Sequence, residues 1–244
     1  MLSGSDICVC VLFYGDDAFC HNLACRVFND SFSGVAEQGV SFRFGLNAVS
    51  DKTKNLVYEK VQNEFANAFV FESSQNIYKY PMMRRMFYYE KLSRPYLIWF
   101  DDNSYILPDT DVENWLIRVK KQLTACDVVG SVYTKALEPG QVGFVSSQPW
   151  GNQYKPSPYI KYAAGAWWAA KTYPLLANNW PPPDLKHHGG DVIMGEFCRQ
   201  RDLQLCHFRD GVAINVNSSG VEGGTHRRGF EATPAGLETQ KNSG

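Results

Sequence analysis

Apolar and polar positions along this chain fall into two recurring patterns: unbroken apolar runs of strand length, and longer stretches with apolar residues every three or four positions. Ile7-Cys8-Val9-Cys10-Val11-Leu12-Phe13-Tyr14 is the clearest run of the first kind. It lacks polar alternation, which marks a strand covered on both faces, and Gly15-Asp16-Asp17 closes it with turn chemistry. Residues 18–32 then place Phe19, Leu23 and Val27 on one helical face. The alternation repeats: a strand over 40–47, a helix over 52–65 carrying Leu56, Val57, Val61 and Phe65, a strand over 68–71, a helix over 77–92, and the strand Tyr96-Leu97-Ile98-Trp99-Phe100. The helix over 77–92 presents Tyr78, Met82, Met86 and Tyr89 on its apolar face, with Lys79, Arg84 and Arg85 elsewhere on it.

Strands alternating with helices predict an α/β fold: an open, mostly parallel sheet with helices on both faces, which binds ligands beyond the carboxyl ends of its strands. Tyr14-Gly15-Asp16, Asp51 and Asp101-Asp102 all fall at such ends. A helix over 111–123 and a strand over 127–133 follow. Residues 138–158 are then rich in Gly, Pro and Ser, and read as a long functional loop holding Phe144, Trp150 and Tyr154, with Tyr159 just beyond. Asp191 opens a helix over 192–200, and strands are predicted over 203–208 and 212–216. The expected organisation is one domain over 1–232, with a regular part over 1–135 and a smaller, irregular lobe over 136–232. A flexible tail is expected over 233–244.

The length of 244 residues and a 44% hydrophobic content support a sizeable core, and a net charge of -1 gives no overall basic field for nucleic acid. The seven cysteines are scattered and odd in number, which predicts reduced thiols and a cytoplasmic setting. Cys8 and Cys10 share a strand face, but no second pair stands at zinc-finger spacing. The first residues show no leader, and no apolar stretch is long enough to span a bilayer, so no membrane partner is expected. Walker, dinucleotide-fingerprint and nucleophile-elbow patterns are missing.

Chemistry concentrates in Phe100-Asp101-Asp102-Asn103-Ser104-Tyr105-Ile106, where two adjacent acids end a buried strand. Carboxylates so placed need a cation, and hard oxygen donors suit magnesium or manganese held against phosphate. Asp109-Thr110-Asp111 also spells acid-x-acid, but after Pro108 and before a helix it reads as a cap. Asp191 fits either an N-cap or a general base. His187 and His188 read as loop residues. Trp150, Trp167 and Trp168 offer flat surfaces on which a cyclic or planar molecule could stack, with core packing expected to claim at least one.

Three segments in order carry a family resemblance: Phe100 to Ile106, Ala163-Ala164-Gly165-Ala166-Trp167-Trp168, and Gly189-Gly190-Asp191-Val192-Ile193-Met194-Gly195. Together they resemble nucleotide-sugar glycosyltransferases of the GT-A type, with the fringe-like branch the nearest in flavour. The resemblance implies a metal motif at Asp101, Asp102 and Asn103, an Asn standing where a third Asp is expected, and a late metal ligand at His226, holding Mn2+ or Mg2+. It implies a small-residue turn at Gly165 and Ala166 lining the sugar pocket, with Asp191 as the base. Tyr14, Gly15, Asp16, Asp51 and Asp101 would contact the nucleotide, with Lys79, Arg84 and Arg228 (or Arg227) on the diphosphate and Trp150, Trp167 and Trp168 on the acceptor.

The implied activity is metal-dependent, inverting transfer of a hexose or pentose from a UDP-sugar to an acceptor hydroxyl. A cytoplasmic enzyme departs from the fringe habit and fits a bacterial or phage setting. There a hydroxymethylated base in DNA joins glycans, proteins and small metabolites as an acceptor, with basic residues over 79–94 and 199–228 to meet a phosphate backbone. The alternatives are a nucleotide-sugar-binding module without catalysis, motivated by Asn103, and a nucleotidyltransferase, for which the acidic Gly15-Asp16-Asp17 turn is the wrong chemistry.

Overall fold

The computed structural model describes residues 6–32, 34–36, 39–90, 92–151, 157, 159–186, 189–208 and 213–215. The apolar runs become strands β1 (Ile7–Tyr14), β2 (Ser41–Asn47), β3 (Ala68–Ser73) and β4 (Tyr96–Phe100). Three further strands, β6 (Val128–Lys135), β7 (Ile160–Lys171) and β8 (Leu205–His207), complete a sheet ordered β3-β2-β1-β4-β7-β6-β8. Every neighbouring pair is parallel except those made by β7, which runs against both β4 and β6. Two short strands, β5 (Ser104–Ile106) and β9 (Ala213–Asn215), pair antiparallel beside it.

Helices cover both faces. On one side lie α1 (Ala18–Arg26), α2 (Asp51–Glu64) and α4 (Val112–Ala125), packed on a core that includes Phe28, Phe42, Phe44, Phe65 and Phe100. The rings meet edge to face, as at Phe42 and Phe65 with centroids 4.9 Å apart, and each buried Phe contributes roughly 1.5–3 kcal/mol. On the other side lie α3 (Lys79–Tyr88), α5 (Pro139–Ser147), α6 (Thr172–Ala177) and α7 (Gly190–Gln200), around Met82, Met86, Trp99, Trp168, Trp180 and Phe197. Capping side chains fix where helices begin: Asp17, Ser50 and Asp111 each accept a first-turn N–H. Asp111 is therefore the cap its position predicts.

Four differences from the sequence expectations have physical reasons. The helix expected over 18–32 becomes α1 and a π-helical turn, Val27–Ser31. The loop expected over 138–158 begins instead with α5, started by Pro139 and by Gln141 Oε1, which accepts the Glu138 N–H at 2.8 Å. The turn expected at Gly165 and Ala166 lies inside β7. Between the Gly130–Trp168 and Val132–Ala163 pairs β6 advances two residues and β7 five, a bulge that small side chains permit. Finally, Cys126 and Cys206 form a disulfide, which corrects the expectation of reduced thiols throughout and ties the start of β6 to β8. Among the described residues no helix is long and apolar enough to cross a membrane.

Candidate active site

The carboxyl ends of β1, β2, β3 and β4 meet the start of α3, and the loop before that helix is bound tightly to them. Asn47, at the end of β2, accepts the Ile77 N–H through Oδ1 at 2.9 Å and donates through Nδ2 to Asn76 Oδ1 at 3.1 Å. Asn76 in turn donates to the Tyr14 hydroxyl at 3.3 Å and accepts the Tyr78 N–H at 2.8 Å. This network holds Tyr78 at a φ of +70°, unusual for a side chain of its size, and so aims the next residue, Lys79, inward.

Lys79 is 5% exposed, and its ammonium lies 2.7 Å from Asp101 Oδ2 and 3.2 Å from Asp191 Oδ1. The Tyr80 hydroxyl donates to the same Asp191 oxygen at 2.9 Å. The two acids, distant in sequence, thus share one cation at the ligand-binding end of the sheet. Asp191 reaches this point because the backbone before it is bare. Gly189 has a φ of +73°, and its carbonyl accepts from Gln141 Nε2 at 3.4 Å. A Cβ added at Gly190 would sit 2.0 Å from the Tyr80 ring. We expect Gly190→Ala to force Tyr80 off Asp191 and to destabilise the fold by about 1–3 kcal/mol, as overpacking does. Thermal denaturation checks this: the loss should shrink when Tyr80→Leu is combined with it, and an unshifted melting temperature in the single variant would refute it.

Two carboxylates against one ammonium leave this cluster one negative charge in excess. Burial disfavours the Lys79 ammonium, but the Asp101 and Asp191 charges outweigh it and hold the pKa well above the ordinary lysine value. Burial raises Asp101, helped by Asp191, against the opposing pull of Lys79. Asp101 Oδ1 and the Trp99 indole Nε1 are both buried without a hydrogen bond of regular geometry, although the indole still draws the Asp101 pKa down. Burial, then the Asp191 charge, keeps the Tyr80 phenol well above its usual pKa. Both bonds to Asp191 end on Oδ1, and its side chain is 32% exposed.

Asp102 and Asn103 follow Asp101 and are buried, with Asn103 Oδ1 accepting from Ser104 Oγ at 3.2 Å. Their oxygens and the excess negative charge are the donor chemistry that a hard divalent cation takes. Among the described residues no cluster of three His, Cys, Asp or Glu completes such a site. Pairing of β5 with β9 sets Asn215 beside Ser104. His226, Arg227 and Arg228 lie beyond it, outside the described residues, as do His187 and His188.

The other expected residues divide clearly. Tyr14, Gly15, Asp16 and Asp51 sit at the carboxyl ends of β1 and β2, with Asp16 and Asp51 exposed. Ala166 lies beside the acids, its carbonyl accepting the Asp101 N–H at 2.9 Å, with Gly165 next to it. Lys79, expected at the diphosphate, has its ammonium on two carboxylates in this structure. Arg84, also expected at the diphosphate, donates to the Asn179 side chain and to the Asn179 and Pro181 carbonyls. Trp150, Trp167 and Trp168 are core residues, each at most 3% exposed, so none offers a stacking face to an acceptor. Trp167 packs on Trp115, Trp168 on Trp99 and Trp150 on Phe197. Sequence reasoning missed Asn47, Asn76, Tyr80 and Gln141. Only the Gly189-Gly190 doublet signalled that something must press against that turn.

The fold is a mixed α/β one with a mostly parallel central sheet, GT-A-like in its arrangement. No family model matches the sequence, and no curated protein does. Among solved structures, the chain is similar to a mannosyltransferase from Pyrobaculum calidifontis, solved with GDP-Man and Mn2+. The TM-score is 0.56 at 12% identity, over 85% of this chain and 56% of that one. It is also similar to GalNAc-T7, solved with UDP, GalNAc and Mn2+, with a TM-score of 0.51 at 14% identity, over 82% of this chain and 42% of that one. The chain spans about half the length of these two glycosyltransferases. A 4-diphosphocytidyl-2C-methyl-D-erythritol synthase from Anaerococcus prevotii aligns at a TM-score of 0.49 and 10% identity, too low to bear on the argument.

Proposed function

We propose that this chain is a metal-dependent, inverting glycosyltransferase that moves a sugar from a nucleotide diphosphate donor, a UDP-sugar in the first instance, to an acceptor hydroxyl. The observation that carries this is the convergence of Asp101 and Asp191 on Lys79 at the carboxyl end of a parallel sheet. Asp191 takes the proton of the acceptor hydroxyl while that oxygen bonds to the anomeric carbon. The bond from that carbon to the diphosphate oxygen breaks, and the nucleoside diphosphate leaves with the electron pair. Lys79 and Tyr80 hold the Asp191 carboxylate in place, and their position on Oδ1 directs the proton to Oδ2. Tyr14, Gly15, Asp16 and Asp51, at the carboxyl ends of β1 and β2, would contact the nucleotide.

Asp102 and Asn103, with His226 from the later segment, are the residues that would hold Mn2+ or Mg2+ with the diphosphate. The bound ion would neutralise charge on the leaving group. Release of UDP from a panel of UDP-sugars in Mn2+ should fall at least about a hundredfold in Asp102→Ala, the scale of losing one electrostatic stabiliser. Equal turnover in the variant sinks the proposal.

Two features favour a second reading, a nucleotide-sugar-binding module without turnover: the amide of Asn103 in the metal motif, and the engagement of Asp191 by Lys79. It predicts calorimetric binding of UDP with Mn2+ and no transfer to any acceptor. A DNA acceptor loses part of its motivation. Lys79, Arg84 and Arg85 are held by Asp101, Asn179 and the Glu72 carbonyl, and Arg199 pairs with Glu196 at 2.7 Å.

A further inference from the structure

The three tryptophans expected to meet the acceptor are buried, yet a pair of cross-strand tyrosines, one of them exposed, stands where α7 rests on β7. Tyr133 on β6 and Tyr162 on β7 are direct cross-strand partners, with ring centroids 6.3 Å apart. Tyr133 is 56% exposed and Tyr162 half-buried. Their location follows from Gly195 in α7, where an added Cβ would lie 2.3 Å from the Lys161 carbonyl and 2.7 Å from Tyr162 Cβ. The helix therefore rests directly on β7 at Tyr162. Asp191 lies four residues earlier, one turn back on the same face of α7. The Tyr162 phenol accordingly feels that carboxylate: its pKa is raised by burial first and by the Asp191 charge next.

We infer that Tyr133 and Tyr162 form the acceptor platform, and that the acceptor they take is a carbohydrate whose ring lies on them with a hydroxyl turned to Asp191. The inference rests on the glycosyltransferase reading and specifies its acceptor. Aromatic faces take the C–H surface of a sugar, while phenol hydroxyls both donate to and accept from its hydroxyls. Charge around the pair points the same way. Lys135 is matched by Glu138 at 3.3 Å, which leaves Lys161 as the nearby exposed cation on this ladder. A nucleic-acid strand needs a groove of positive charge along its backbone, and the described residues of this ladder do not supply one.

The test uses the full chain and millimolar methyl glycosides of glucose, galactose, xylose and N-acetylglucosamine, observed by saturation-transfer NMR. At least one glycoside should receive saturation on its ring protons, and Tyr133→Ala should weaken its binding about three- to tenfold, the scale of one aromatic contact. Tyr133 is exposed, so this variant keeps the core, and an unchanged melting temperature verifies that. Tyr162→Phe should retain the contact, since the ring persists. Silence from every glycoside, or equal signals in Tyr133→Ala, overturns the inference. So does salt-sensitive binding of a short single-stranded oligonucleotide that Tyr133→Ala abolishes. Calorimetry of wild-type chain with UDP and Mn2+ keeps the two readings apart: glycoside binding without UDP binding removes the glycosyltransferase proposal, and UDP binding without glycoside binding removes only the platform.

Discussion

Asp191→Asn should lower sugar transfer by about 10²–10⁴-fold, the contribution of a positioned general base, while leaving donor affinity close to wild type. The amide fills the same volume and can still accept from Lys79 and Tyr80, so the local fold is expected to persist. Loss of the carboxylate removes the proposed proton acceptor and one of the two charges on Lys79, whose shorter pairing with Asp101 remains. The measurement is single-turnover transfer in Mn2+, with calorimetry of UDP as the control for binding. A variant that transfers within threefold of wild type, on whichever acceptor proves competent, would show that another group takes the proton. A variant that loses UDP binding as well would move Asp191 from the acceptor side of the reaction to the donor side.

Lys79→Met should be the most damaging single change to stability, at about 3–5 kcal/mol, because it leaves buried carboxylates without their cation. Lys79 and Asp101 are 5% and 14% exposed, so solvent screens this pair little. Removing the charge that was left alone should repair much of the damage, so Lys79→Met with Asp101→Asn is expected to recover more than half the loss. The pH dependence carries its own sign. The Lys79 pKa is raised in the folded chain, so its contribution is complete below the unfolded value of about 10.4. It is lost as pH rises through the folded value. Denaturant midpoints of wild type and Lys79→Met should therefore stay apart through neutral pH and converge only in strongly alkaline buffer. Convergence near pH 7 would mean that Lys79 is neutral there and that the cluster is not an ion pair.

Activity should follow the same substitution for a different reason. Without Lys79 the Asp191 carboxylate keeps the Tyr80 hydroxyl, and Asp101 gains a proton more readily because the main charge opposing the effect of its burial is gone. The cluster is thus both a stabilising contact and the device that orients the proposed base. Its excess negative charge also gives a cation a reason to bind beside it.

Much of this was legible from residue order alone. The apolar run Ile7 to Tyr14 became β1, and Tyr96 to Phe100 became β4, because a strand buried on both faces writes itself as an unbroken hydrophobic stretch. Asp111 could be read as a cap because capping is local, settled within one turn. The bulged β7 could not be read in this way. Its partner strands β4 and β6 lie far from it in sequence, and its small residues mimic a turn unless those partners are known. Trp150, Trp167 and Trp168 have the chemistry of ligand-stacking residues, and only packing shows that their faces are already covered.

The sequence by itself determined the alternating α/β architecture and the placing of acids at strand ends, since periodicity and turn chemistry act over a few residues. The tertiary structure alone decided what those acids meet. Asp101, Lys79 and Asp191 come together through the ends of β4, α3 and α7, and the tyrosine pair beside α7 comes from β6 and β7. Such contacts depend on distances between elements, and no local pattern of apolar and polar residues encodes them.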